Sequence, residues 1–278
     1  MTQDTSTIAV GSSGIGKRPN AIEQAFAKVP QVTLIFWLIK IAATTLGETG
    51  GDAVTMSWLG ETTANANGNG YLIGTALFAV IFAATVYAQI RARQFHPFLY
   101  WTTIIASTTV GTTLADFADR SLGIGYAGGS SLLLLLLLAS LFTWHRTLGS
   151  IAVETVATPK AEMFYWLTIM FSQTLGTALG DWVADTRGLG YVGGMVIFGA
   201  LLALVAMLYF SRRVSHTLLF WAAFILTRPL GAVLGDFLDK PVAKGGLALD
   251  RYSASAVLLV AIIGMILVFK QRPAERAH

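Results

Sequence analysis

Cysteine is absent and charge is scarce: none of the 278 residues is Cys, and only 12% are Asp, Glu, Lys or Arg. The missing cysteine excludes disulfides, thiolate metal sites and cysteine nucleophiles. The charge content is about half the roughly 25% of a soluble domain, and the mean hydropathy of +0.64 points to an integral membrane protein. Histidine is sparse, and His96, His145 and His216 fall at the ends of apolar runs, as interfacial residues do. The glycine-rich stretches at 68–70 and 123–125 lack a following Lys-Ser/Thr and lead into apolar segments, so they read as tight turns, not nucleotide loops. No Ser/His/Asp spacing and no metalloprotease helix motif occurs, so no enzyme activity is expected. The net charge of +4 does not imply nucleic acid, because the bases sit in short loops between apolar runs.

What the chain has is long apolar runs. Eight are long enough for a spanning helix of about 20 residues: 31–56, 71–90, 98–117, 126–144, 163–183, 191–210, 217–237 and 252–269. The runs are continuous, as in Leu132 to Leu138, which favours helices over a barrel. Twelve bases (Lys17, Arg18, Lys28, Arg91, Arg93, Arg146, Lys160, Arg212, Arg213, Lys270, Arg272 and Arg276) lie on one side. Five (Arg120, Arg187, Lys240, Lys244 and Arg251) lie on the other, which predicts cytoplasmic N- and C-termini.

Trp, then Gly ten residues on, then Asp five further recurs four times: Trp37/Gly47/Asp52, Trp101/Gly111/Asp116, Trp166/Gly176/Asp181 and Trp221/Gly231/Asp236. A fixed period means one unit copied four times. The expected organisation is a disordered cytoplasmic tail over 1–29, repeats at 30–92, 93–157, 158–213 and 214–272, and a short tail at 273–278. The fold expected is all-α and polytopic: eight transmembrane helices as four parallel two-helix repeats around a polar central cavity. Repeats 2 and 3 match best, through the Gly-Tyr-x-Gly-Gly at 125–129 and 190–194, so a 2–3 pair is flanked by a 1–4 pair.

Each Asp lies at the outer end of an apolar segment, where a carboxylate is costly and needs a reason. It sits about 22 Å along a helix from its Trp. Positions three or four residues apart share a helix face, which aligns Thr45, Glu48 and Asp52, then Thr109, Thr112 and Asp116, then Thr174, Thr177 and Asp181. Hydroxyl and carboxylate oxygens suit a hard cation such as Mn2+, Mg2+ or Ca2+. Five deep acids (Glu48, Asp52, Asp116, Asp181 and Asp236) against two intramembrane bases (Lys40 and Arg228) leave three charges that need protons or a cation. Arg228 is expected to pair with an Asp of a neighbouring repeat, and Lys40 to snorkel inward.

Plainer readings stand beside these. The Gly-xxx-Gly spacings serve close helix packing, and each Trp reads as an interface anchor. Asp119, Asp185 and Asp239 suit solvated pairing with Arg120, Arg187 and Lys240, and the deep Asp residues suit helix caps or interhelical glue.

The pattern Thr174-Leu175-Gly176-Thr177-Ala178-Leu179-Gly180-Asp181 resembles a bacterial membrane-protein family built from four copies of a short repeat without assigned function. The likeness covers most of 31–270, while Glu48-Thr49-Gly50-Gly51 and Arg228-Pro229 depart from it. It implies a bacterial inner membrane location and Asp52, Asp116, Asp181 and Asp236 as signature carboxylates. Some relatives are candidates for efflux of manganese or related metals. The expected function is a proton-coupled exporter of a hard divalent cation, Mn2+ favoured, that cation being substrate rather than cofactor. Glu48 and the four Asp would bind it, and Thr45, Thr109, Thr112, Thr174, Thr177, Lys40 and Arg228 would line its path. Partners are the lipid bilayer, the cation and protons, and a homodimer is compatible. The alternatives are transport of a small organic cation, with Phe117, Trp182 or Phe237 supplying cation–π contacts, and a scaffold with structural carboxylates.

Overall fold

The computed structural model describes residues 28–63, 66, 69–186, 188–211 and 213–274. Most of the N-terminal tail, the last four residues, Arg187 and Arg212 lie outside the described residues, as do the expectations that rest on them. Eight long helices follow one another: α1 (Leu34–Asp52), α2 (Asn69–Arg91), α3 (Pro97–Asp116), α4 (Tyr126–Leu148), α5 (Pro159–Asp181), α6 (Gly190–Ser211), α7 (His216–Asp239) and α8 (Arg251–Val268). Five of them (α2, α4, α6, α7 and α8) are long and apolar enough to cross a membrane, which makes this a membrane protein. The other three carry their polar residues buried against neighbouring helices.

Local chemistry sets the helix ends. Thr33 and Thr158 cap α1 and α5 by accepting from Phe36 N (3.4 Å) and Ala161 N (3.3 Å). Proline begins α3 and α5, where its missing N–H costs nothing. Asp250 caps α8 through Ser253 N and Oγ, both at 2.8 Å, and the first of these bonds chiefly holds its carboxyl below the usual range. After Asp52, Asp116 and Asp181 the helix widens into a π-helical turn, at Ala53–Trp58, Phe117–Ser121 and Trp182–Thr186. Helix α7 runs on through Asp236 without one.

The first helices of the four repeats close a ring: α1 packs on α3, α3 on α5, α5 on α7 and α7 on α1. The second helices lie outside, each on the first helix of the next repeat: α2 on α3, α4 on α5, α6 on α7 and α8 on α1. Helices of the same repeat meet mainly through the π turns that extend the first of them. The ends of the described chain also meet, with Gln31 N donating to Arg272 O and Ala274 N to Val29 O, both at 2.8 Å. Beside them Lys28 Nζ donates to the last carbonyls of α2 and to the buried Glu162 of α5 at 2.6 Å.

Four glycines set the ring spacing. A Cβ on Gly47 would meet the side chain of Thr108, on Gly111 that of Gln173, on Gly176 that of Arg228 and on Gly231 that of Thr44, each at 2.9 Å or less. Every contacted residue lies three positions before the glycine of the next repeat, so the register is the same all round. Around Gly111 the Cβ also meets backbone, Gln173 C and Thr174 N at 3.0 Å, which cannot swing away. Gly111→Ala is therefore expected to cost about 1–3 kcal/mol of stability. Gly199→Ala on α6, with open space around it, should be neutral or slightly stabilising. Melting of the two variants in detergent, compared with the unsubstituted protein, checks the contrast.

The tryptophans differ from their expected role. Trp101, Trp166 and Trp221 are buried, and Trp37 is partly so. The aromatic before each one packs on the Trp of the next repeat: Phe36 on Trp101 at 5.3 Å, Tyr100 on Trp166 at 5.8 Å, Tyr165 on Trp221 at 6.1 Å and Phe220 on Trp37 at 5.8 Å. The Tyr100 and Tyr165 hydroxyls share a hydrogen bond of 2.6 Å. The Trp end of the bundle is an aromatic plug, in which two rings from each repeat pack at one register.

Candidate cation site

The ring axis is built from every fourth residue of the inner helices. Nearest the plug come Lys40, Ile104, Ile169 and Phe224, all fully buried. Thr44, Thr108, Gln173 and Arg228 follow, then Glu48, Thr112, Thr177 and Ala232, then Asp52, Asp116, Asp181 and Asp236. Polar side chains make up three of these four layers, and nearly all of them are buried.

Arg228 is the centre of the polar layers. It is fully buried, and its Nη2 donates to Glu48 Oε2 at 2.9 Å, to Thr112 Oγ1 at 2.6 Å and to Thr177 Oγ1. Those partners are the residues that follow the ring glycines in repeats 1, 2 and 3. The equivalent in its own repeat, Ala232, leaves room for the guanidinium. Arg228 thus pairs with a glutamate of the neighbouring repeat, where an aspartate was expected. A planar fork of donors suits several oxygens at once. Lys40 does not snorkel: its Nζ lies 4.1 Å over the Phe224 ring and has no hydrogen-bond partner among the described residues.

The four signature carboxylates converge at the far end as two bridged pairs. Arg120 spans Asp116 (Nε to Oδ1, 2.7 Å) and Asp181 (Nη2 to Oδ2, 4.0 Å). Lys240 spans Asp236 (3.0 Å) and Asp52, with Asp239 at 3.9 Å. Both cations lie four residues after a ring Asp, so each reaches back over one helical turn and across to the next repeat. This corrects their expected place in solvated pairs with Asp119 and Asp239. It also corrects the charge count, which becomes five acids against four bases. Asp239 is held instead by Arg251 Nε at 2.8 Å, and Asp185 accepts from the Tyr126 hydroxyl at 3.0 Å.

Oxygens of Glu48, Asp52 and Asp236, all buried, lie within 4.8 Å of one another. Asp52 Oδ1 and Asp116 Oδ2 have no hydrogen-bond partner among the described residues. Three carboxylates at this spacing match the oxygen donor set a hard divalent cation takes. Thr45, Thr109 and Thr174, expected to line the path, instead donate to Ile41, Ile105 and Met170 carbonyls of their own helices at 2.8–3.0 Å. The axial position is one residue earlier, at Thr44, Thr108 and Gln173. The position is hard to see because it changes type along the repeats, from Thr44 and Thr108 to Gln173 and Arg228. The glycine three residues after each is the signal that marks them.

Comparison with curated proteins and with solved structures gives no match. A family model described as "Repeat of Unknown Function (DUF347)" matches residues 35–95, 99–150, 164–214 and 219–272. Four copies cover most of the chain, and this protein belongs to the family built from that repeat.

Proposed function

We propose that the protein is a secondary transporter of a hard divalent cation, with Mn2+ the favoured substrate. It would span the bacterial inner membrane eight times with both ends cytoplasmic and export the cation against protons. One observation carries this reading: Glu48, Asp52 and Asp236 bring buried carboxylate oxygens within 4.8 Å of each other near one end of a closed helical ring. Buried carboxylates without a full set of cationic partners are stabilised by a proton or a cation, and exchange of one for the other follows. The all-oxygen donor set, with no cysteine in the chain, favours hard ions over Cu+ and Zn2+.

The test is the melting temperature of the purified protein in detergent with Mn2+, Mg2+, Ca2+, Zn2+ or Na+. A ligand of the native state at 100 times its Kd adds about 2.7 kcal/mol. The expected result is a selective rise with one divalent ion that is lost in Asp52→Asn and Asp236→Asn. No rise with any ion, or a rise that survives both substitutions, overturns the reading. A second reading, transport of a small organic cation, is supported by Lys240: its ammonium lies against Asp52, Asp236 and Met56 Sδ (3.6 Å). A primary-amine panel in the same assay separates the two.

A further inference from the structure

We propose that Lys240 is a tethered stand-in for the transported cation: its ammonium holds the place of the substrate between Asp52 and Asp236, and the substrate binds by displacing it. The proposal rests on the cation-site reading and names what competes for that site.

Its basis is position first. The residue nine after each ring glycine is Met56, Arg120, Asp185 or Lys240. Arg120 stays on a π turn with its side chain 37% exposed, whereas the Lys240 side chain is 9% exposed and sits among carboxylates. Its Nζ contacts Asp52 Oδ2 and lies 3.0 Å from Asp236 Oδ1. These carboxylates are two of the three residues that form the candidate divalent site. Arg228 already pairs with Glu48, so the ammonium is one positive charge between the two remaining negative ones. Asp52 Oδ1, fully buried, has no hydrogen-bond partner even with the lysine in place. A doubly charged ion would engage that oxygen as well, which gives it the advantage over the resident ammonium.

Tethering is the second basis. The Lys240 backbone is pinned on both sides. Its N–H donates to Asp236 O at 2.9 Å, and its carbonyl accepts from Ala248 N at 2.9 Å. Gly246 closes that turn so tightly that a Cβ there would lie 2.2 Å from the Lys240 carbonyl oxygen. Only the four-carbon stem is left to move, and lysine carries a compact charge on such a rotatable stem. A resting place is at hand. Asp239 Oδ1 is 3.9 Å from Nζ and has no hydrogen-bond partner, while Arg251 occupies Oδ2. Displacement therefore frees the ammonium from the Asp52–Asp236 pair, with Asp239 a second carboxylate within reach as it leaves.

The experiment uses the full chain in detergent. Mn2+ titrations by melting shift compare the unsubstituted protein with Lys240→Met, and amine acylation of Lys240 is followed in the unsubstituted protein with and without Mn2+. The proposal expects Lys240→Met to bind Mn2+ at least ten-fold tighter. It also expects acylation of Lys240 to rise several-fold when Mn2+ is present. Equal or weaker binding in Lys240→Met, with the unsubstituted protein still binding, overturns the stand-in and leaves the cation site intact. Absence of Mn2+ binding in both overturns the cation site along with it. If Lys240→Met does not fold, acylation decides: reactivity unchanged or lowered by bound Mn2+ overturns the proposal, because a merely structural lysine is not expelled.

Discussion

Arg228→Met is expected to lower stability by about 3–5 kcal/mol, the cost of leaving a buried carboxylate without its cation. The fully buried guanidinium ties Glu48, Thr112 and Thr177 of three different repeats to the fourth. With methionine in its place Glu48 has one remaining contact of this layer, the Thr112 hydroxyl at 3.3 Å. Adding Glu48→Gln to Arg228→Met should return most of the loss, since an apolar group beside a neutral amide carries no buried charge. Arg228→Lys keeps the charge but loses the fork, and should fall between. Melting in detergent measures all four chains. A double variant less stable than Arg228→Met would sink this account, because it would show that the pair does not act as a unit.

The second large effect is on flux. On the proposed transport of Mn2+, flux into vesicles holding the reconstituted protein should fall at least roughly 100-fold in Asp52→Asn and in Asp236→Asn, beyond the 10–100-fold that loss of a supporting partner of a metal ligand brings. Asp181→Asn should fall less. Its carboxylate belongs to the pair bridged by Arg120, outside the group formed by Glu48, Asp52 and Asp236. Asparagine keeps the shape and removes the charge, and melting checks that each variant is folded. Equal losses in Asp181→Asn and Asp236→Asn would move the site to the whole carboxylate ring. Undiminished flux in Asp52→Asn and Asp236→Asn would remove it from these carboxylates altogether.

Much of this arrangement is written in local spacing. The Trp, Gly and Asp series gave four copies of one unit, and the apolar runs match the observed helices to within a few residues, aside from the π turns that extend three of them. Which face turns inward was harder to read. Thr44 and Thr45 stand side by side, and a period of 3.6 accommodates either, so the hydroxyl pattern favoured Thr45 while packing against Gly231 selects Thr44. A Trp at a helix start suits an interface anchor, yet the aromatic preceding each one puts two rings per repeat at one register, as a plug needs. Arg120 and Lys240 sit four residues after an Asp, a spacing that was visible. Their assignment to loops hid it, because a π turn in one case and a longer helix in the other carries them back over the carboxylates. Partners from other repeats, such as Glu48 for Arg228, depend on ring order, which no local pattern encodes.

The placement of each outer helix on the following repeat has a consequence for how such a protein can change size. In an open array of repeats every unit has a successor except the last, so growth by duplication is free and the terminal units need caps. Here α8 lies on α1, and the last unit is the neighbour of the first. A closed cycle has no terminal unit and needs no cap, but it admits no fifth member without reopening every junction. One repeat alone has the surface of a single subunit in a cyclic tetramer, complementary to its own copy rather than to itself. The covalent chain then contributes what four separate subunits could not: unlike residues, arginine on one side and glutamate on another, at positions that symmetry would otherwise force to be identical.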